Sequence, residues 1–97
     1  MTNYVELSGN LIGAPEIHVT ADGVEVIQWR LKVAREDVGS DSIPCVSRDA
    51  KVRKLVAKLK ENKGIEIQGE VRSRFWRSGG ITQSRVEIDV LEASHSK

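Results

Sequence analysis

The sequence predicts an all-β fold, a five-stranded Greek-key barrel with one α-helix between the third and fourth strands. Three observations predict it. Most segments alternate apolar and polar residues with a period of two, the pattern of strands that turn one face to a core and the other to water. One stretch breaks that pattern: Val52, Leu55, Val56 and Leu59 fall at i, i+3, i+4 and i+7, the stripe of an amphipathic helix. The chain has 97 residues, enough for one domain with a modest core and too few for a second lobe.

Tyr4-Val5-Glu6-Leu7-Ser8, Glu16-Ile17-His18-Val19-Thr20 and Ile27-Gln28-Trp29-Arg30-Leu31-Lys32-Val33 alternate in this way. Gly13-Ala14-Pro15 and Ala21-Asp22-Gly23 read as the turns between them. Residues 35–42 carry almost no apolar side chain and read as a flexible loop, followed by a short strand over 43–47. Asp49 is placed to cap the start of the helix and Gly64 its end, with Lys58, Lys60 and Lys63 favourable for the C-terminal dipole. Strands over 65–75 and 82–91 follow, joined at Ser78-Gly79-Gly80. Gly9 and Gly69 sit inside otherwise regular strands, where a small barrel needs sharp corners. This connectivity is that of the OB-fold, whose outer face binds oligonucleotides or oligosaccharides. An SH3-like barrel is the alternative, but it usually lacks a long helix at this point. The domain is expected over residues 1–92, with 93–97 a short polar tail.

A composition of 39% hydrophobic and 30% charged residues is that of an ordinary soluble domain. No apolar run is long enough to span a membrane, the N-terminus lacks the features of a secretory signal, and the single cysteine, Cys45, forms no internal disulfide. A cytoplasmic, nucleoid-associated protein is expected, with no cofactor and no metal. Net charge is only +1, yet the charge is segregated. Residues 1–47 hold three cations against seven acids, whereas residues 48–77 hold ten cations against four. Clustered cations matter more to a polyanion than the net sum.

The densest part of that cluster is Arg72-Ser73-Arg74-Phe75-Trp76-Arg77, which combines three guanidinium groups with two of the four Phe, Tyr and Trp rings in the chain. Cations and an exposed ring on one strand offer phosphate neutralisation and a surface for stacking an unpaired base. Strand parity puts Arg72, Arg74 and Trp76 on one face, opposite Ile65, Ile67, Gly69 and Val71. Trp76 therefore reads as a base-stacking ring, with an oligomer contact as the competing reading. Trp29 shares parity with Ile27, Leu31 and Val33 and reads as core, which leaves Arg30 and Lys32 facing out as phosphate contacts. Arg48, Phe75 and Arg77 complete the candidate set. The helix cations read as a solvated face. No glycine-rich phosphate loop, paired carboxylates or cysteine with a neighbouring base points to an enzyme.

Asn3-Tyr4-Val5-Glu6-Leu7-Ser8-Gly9-Asn10-Leu11, then Pro15-Glu16, Thr20 and Gly23, resembles the opening of the bacterial single-stranded DNA-binding proteins. Ile65-Glu66-Ile67-Gln68-Gly69-Glu70-Val71-Arg72-Ser73-Arg74-Phe75-Trp76 is similar to that family's second signature, and the resemblance covers residues 3–92. It implies an OB barrel, single-stranded DNA as ligand, a homotetramer built from dimers, and Trp76 at a base-stacking position; self-association to a dimer or tetramer is expected. Replication, repair and recombination are the implied settings, with enzymes of those processes as further partners. Two departures stand out. Pro44-Cys45-Val46-Ser47-Arg48-Asp49 replaces the family's aromatic residues on the third strand and at the helix start, and the sequence stops at Ser94-His95-Ser96-Lys97 without the acidic, Phe-terminated tip. The second is a truncation or the mark of a short relative of the primosomal type. An OB-fold module that binds RNA or protein, or an accessory domain for tRNA or oligosaccharide, is the alternative function.

Overall fold

The computed structural model describes residues 1–96, which form a closed five-stranded barrel with one helix. Its elements are β1 (Val5–Val19), β2 (Glu25–Ala34), β3 (Ser40–Ser47), α1 (Ala50–Lys58), β4 (Gly64–Ser78) and β5 (Ile81–His95). Around the barrel the order is β1-β2-β3-β5-β4, with β4 returning to β1 and a short parallel pairing of β3 with β5. That is the OB-fold, with the helix between the third and fourth strands as the sequence indicates.

Alternation decides what faces inward. Leu11 on β1, Ile27, Trp29 and Leu31 on β2, Cys45 on β3, Ile65 and Ile67 on β4, and Ile88 and Val90 on β5 form one buried cluster. Val52, Val56 and Leu59 of the helix stripe close its end. At ~25 cal/mol per Å² of apolar surface removed from water, each such aliphatic side chain contributes roughly 1.5–3 kcal/mol. Asp49 caps α1 by accepting from the backbone N–H groups of Lys51 and Val52 at 2.9 and 3.0 Å. At Gly69 the β5 backbone lies close against β4: a Cβ there would collide with the Asp89 carbonyl oxygen.

Four boundaries differ from those read off the sequence. Gly13-Ala14-Pro15 is not a turn between two strands. β1 runs straight through it, with a register shift against β2 between Ile12 and Glu16, so two alternating segments are one bent strand. A bulge keeps the ladder on either side while redirecting the chain, which the local Gly and Pro cannot distinguish from a turn. The loop between β2 and β3 shrinks to residues 35–39, because Asp41 and Ser42 pair with Val33 and Lys32. Gly64 does not cap the helix. Leu59 is the C-cap, Asn62 takes the positive φ of 68° in the following turn, and Gly64 opens β4. Finally β5 continues past residue 92: Ala93, Ser94 and His95 pair with Ile67, Glu66 and Ile65, and Ala93 packs on the core.

Two 15-residue strands matter most for the site. β4 and β5 are both that long, and beyond Glu70 they leave the barrel as a two-stranded arm. The arm ends in a two-residue turn whose Gly79 and Gly80 both have positive φ, 59° and 80°. That is the conformation of the hairpin turn matching strand twist, and it favours glycine.

Candidate nucleic-acid interface

On the outside of the barrel, residues that alternate with the core on β2 and β3 form a floor: Gln28 and Arg30 on β2, Pro44 and Val46 on β3. The β4–β5 arm rises beside it. Between them lies a cleft of about 780 Å³, lined by Arg48 from the end of β3, Arg72 and Arg74 from β4, and the carboxylates of Glu87 and Asp89 from β5. His18 and Thr20 form its far rim. A second cleft of about 300 Å³ lies next to it, sharing Gln28 and lined by Arg30, Arg85 and Pro44 over the buried Trp29. The two clefts, both lined by Gln28, constitute the channel.

Cross-strand register fixes which arm residues share the face turned to the channel. Arg72 lies opposite Glu87, Arg74 opposite Arg85 and Trp76 opposite Gln83, so all six share one face. Val71, Ser73, Phe75 and Arg77 are on the other. The Arg74 guanidinium sits over the Trp76 ring, 5.4 Å from its centroid, at cation–π distance. Trp76 remains 38% exposed. A guanidinium on one edge and an open ring beside it hold a phosphate contact and a stacking surface side by side.

The guanidinium groups are not equally available. Arg72 is 3.4 Å from Glu70 and 4.0 Å from Asp89, and Arg85 is 3.1 Å from Glu87. The Arg30 side chain donates from Nε to the Ser42 hydroxyl at 2.7 Å and from Nη2 to the Ser42 carbonyl at 3.3 Å, which fixes its head at the floor without neutralising it. Arg48 and Arg74 have no ion-pair partner among the described residues.

Of the residues singled out from the sequence, Arg48, Arg72 and Arg74 meet in the larger cleft, Arg30 lies in the smaller one and Trp76 stands beside Arg74. Phe75 and Arg77 point away from the channel, although Phe75 is 68% exposed. Lys32 faces outward opposite Ser42 but lines neither cleft. Arg85 and Glu87 escaped the sequence reading. The signal was there, since a two-residue turn at Gly79-Gly80 places Arg85 opposite Arg74 and Glu87 opposite Arg72. The helix cations stay out of both clefts, and Arg53 instead bridges to Glu25.

The sequence profile described as "Single-strand binding protein family" matches residues 2–95. The chain belongs to that family. Among solved structures, a small single-stranded DNA-binding protein from Streptomyces coelicolor is 19% identical, with a TM-score of 0.73 over 99% of this chain and 96% of its own. A Plasmodium falciparum single-stranded DNA-binding protein in complex with single-stranded DNA is also 19% identical, with a TM-score of 0.77 over 97% of this chain and 92% of its own. No curated protein matches the chain.

Burial pushes the Cys45 thiol up to about 12, so it stays protonated. His18 has Glu16 as its neighbour, at 3.5 Å. Among the described residues no three His, Cys, Asp or Glu side chains cluster as a metal site would need, and no helix is long and apolar enough to cross a membrane.

Proposed function

We propose that this chain is a non-catalytic binder of single-stranded DNA with little sequence preference, which holds strands unpaired during replication, repair or recombination. The observation that carries the proposal is the juxtaposition on one face of two unpaired guanidinium groups, Arg48 and Arg74, with the open ring of Trp76 above an outward β2–β3 floor. Phosphates are neutralised by the guanidinium groups while a base stacks on the indole, and only an unpaired base has a free face to offer. The DNA held by the Plasmodium falciparum neighbour, on the same fold, supports the same ligand here.

The aromatic set of the channel is thin, so one protomer contacts few nucleotides. Sharing a strand between protomers raises affinity through effective concentration, and we infer a dimer or tetramer with isologous contacts. The outer face of the arm supports that inference: Phe75, Val71 and Val86 are 68%, 40% and 58% exposed on the side turned away from the channel. Replication or repair proteins in the cytoplasm, at the nucleoid, are the further partners this role implies. The acids lining the channel, Glu16, Glu87 and Asp89, favour one alternative, a weaker accessory module of the primosomal or RNA-binding type.

Fluorescence titration with oligo-dT, oligo-U and duplex DNA at several salt concentrations, together with light scattering, tests the reading. Tight, salt-sensitive binding selective for oligo-dT by an oligomer is expected. Equal affinity for duplex refutes it, and preference for oligo-U selects the alternative.

A further inference from the structure

Glu87 is a carboxylate in the wrong place for a polyanion-binding face. It is only 6% exposed, yet it lines the larger cleft together with Arg72 and Arg74. Arg85 precedes it by two residues on the same face of β5 and holds it at 3.1 Å. Arg72 is directly across the ladder, and Arg74 is its diagonal neighbour. Opposed residues of a ladder lie about 5 Å apart and diagonal ones about 7–8 Å, within reach of arginine side chains. Arg74 and Arg85 are themselves a like-charged opposed pair, an arrangement that destabilises a sheet unless an anion lies between or beside them. The Arg85 fork is half used: Nη2 donates to Glu87, while the buried Nε has no partner among the described residues.

We propose that Glu87 holds the place of a DNA phosphate, an internal competitor that keeps Arg85 compensated in the free protein and lowers the affinity of the Arg72, Arg74 and Arg85 cluster for single-stranded DNA. The proposal rests on the single-stranded DNA reading of this channel. Its physical content is an exchange. In the free protein Glu87 pairs with Arg85, Arg72 is held by Glu70 and Asp89, Arg74 has no ion-pair partner among the described residues, and the buried Arg85 Nε–H is left without an acceptor. A phosphate entering the cluster meets either a displaced carboxylate or its repulsion, so each binding event gains less than three free arginines would give. Asp89 and Glu70 act on Arg72 in the same sense from its other side.

Glu87→Gln keeps the side-chain volume and one acceptor for Arg85 while removing the charge. One more effective phosphate contact steepens the dependence of log affinity on log salt by about 0.7, which corresponds to roughly fivefold tighter oligo-dT binding at 0.1 M salt. Glu61→Gln, at an exposed acid in the turn after the helix, is the control and leaves binding unchanged. A folded Glu87→Gln with wild-type or weaker affinity overturns the proposal. Should that variant not fold, the wild-type protein decides: the side-chain Nε–H resonance of Arg85 shifts on saturation with oligo-dT if phosphate replaces the carboxylate, and an unmoved resonance overturns the proposal. Failure of the wild-type protein to bind oligo-dT refutes the functional reading instead. In that case, gain of binding by Glu87→Gln still upholds Glu87 as the competitor, and continued failure rejects both.

Discussion

Replacing the two tryptophans one at a time separates binding from folding, because the fold buries Trp29 in the core and leaves Trp76 on the exposed arm. Trp29 is 4% exposed inside the core cluster, and truncating a buried Trp to Ala costs about 3–5 kcal/mol. Against a total stability of roughly 5–15 kcal/mol for a domain of this size, that is a large share, equivalent to a fall in Tm of roughly 12–40 °C. Trp76 is 38% exposed on the arm, beyond the core, and its main contact is the Arg74 guanidinium at 5.4 Å. Losing an exposed cation–π contact costs about 0.5–1 kcal/mol, so Trp76→Ala should lower Tm by less than about 8 °C. Its effect belongs to affinity: a base stacked on the indole contributes about 1–3 kcal/mol, so oligo-dT binding should weaken by roughly 5- to 150-fold. Thermal melts and oligo-dT titrations of both variants, with the mass of each by light scattering, provide the comparison. Trp29→Phe leaves Trp76 as the sole indole, and its emission should be quenched on binding. The reasoning is refuted if Trp76→Ala binds within twofold of wild type, or if it melts as early as Trp29→Ala does.

Ion pairing ranks the arginines. Arg48→Ala and Arg74→Ala should each flatten the salt dependence of log affinity by about 0.7, whereas Arg72→Ala should flatten it less because Glu70 and Asp89 already compensate that side chain; equal slopes for all three variants would contradict the ranking. Gly69→Ala drives a Cβ into the Asp89 carbonyl where β4 meets β5, and should destabilise by about 1–3 kcal/mol or more, read as a drop in Tm of at least 5 °C. A Tm within 2 °C of wild type would place the strands further apart than described. Cys45 has its thiol raised from 9.0 to about 12, chiefly by burial. The unfolded chain therefore ionises first, and the thiol's contribution, complete below pH 9, falls by about 1.4 kcal/mol per pH unit between 9 and 12. Urea melts across pH 8–10.5 should show a steeper alkaline loss for wild type than for Cys45→Ala, and parallel curves would assign the loss to other groups.

Short-range physics made much of this protein legible in its sequence. The period-two segments, the single stripe at Val52, Leu55, Val56 and Leu59, the Asp49 cap and the Gly79-Gly80 turn all depend on neighbours within a few residues, and each appears where the sequence puts it. Parity alone assigned Trp29 to the inside and Arg30 to the outside, because a strand has only two faces. What required the tertiary structure was everything set by register between distant segments. Whether Gly13-Ala14-Pro15 turns the chain or bends one strand depends on β2 continuing the ladder on both sides of the bulge. The reach of β5 to His95 depends on Ile65, Glu66 and Ile67 offering it partners. The site divides in the same way. Arg72, Arg74 and Trp76 were visible as a local run, but their surroundings were not. Arg48 joins them across the parallel β3–β5 contact, and Arg85 and Glu87 join them across the hairpin. Which cations are free for a phosphate follows from those long-range neighbours, since charges act through space over distances that sequence spacing does not record.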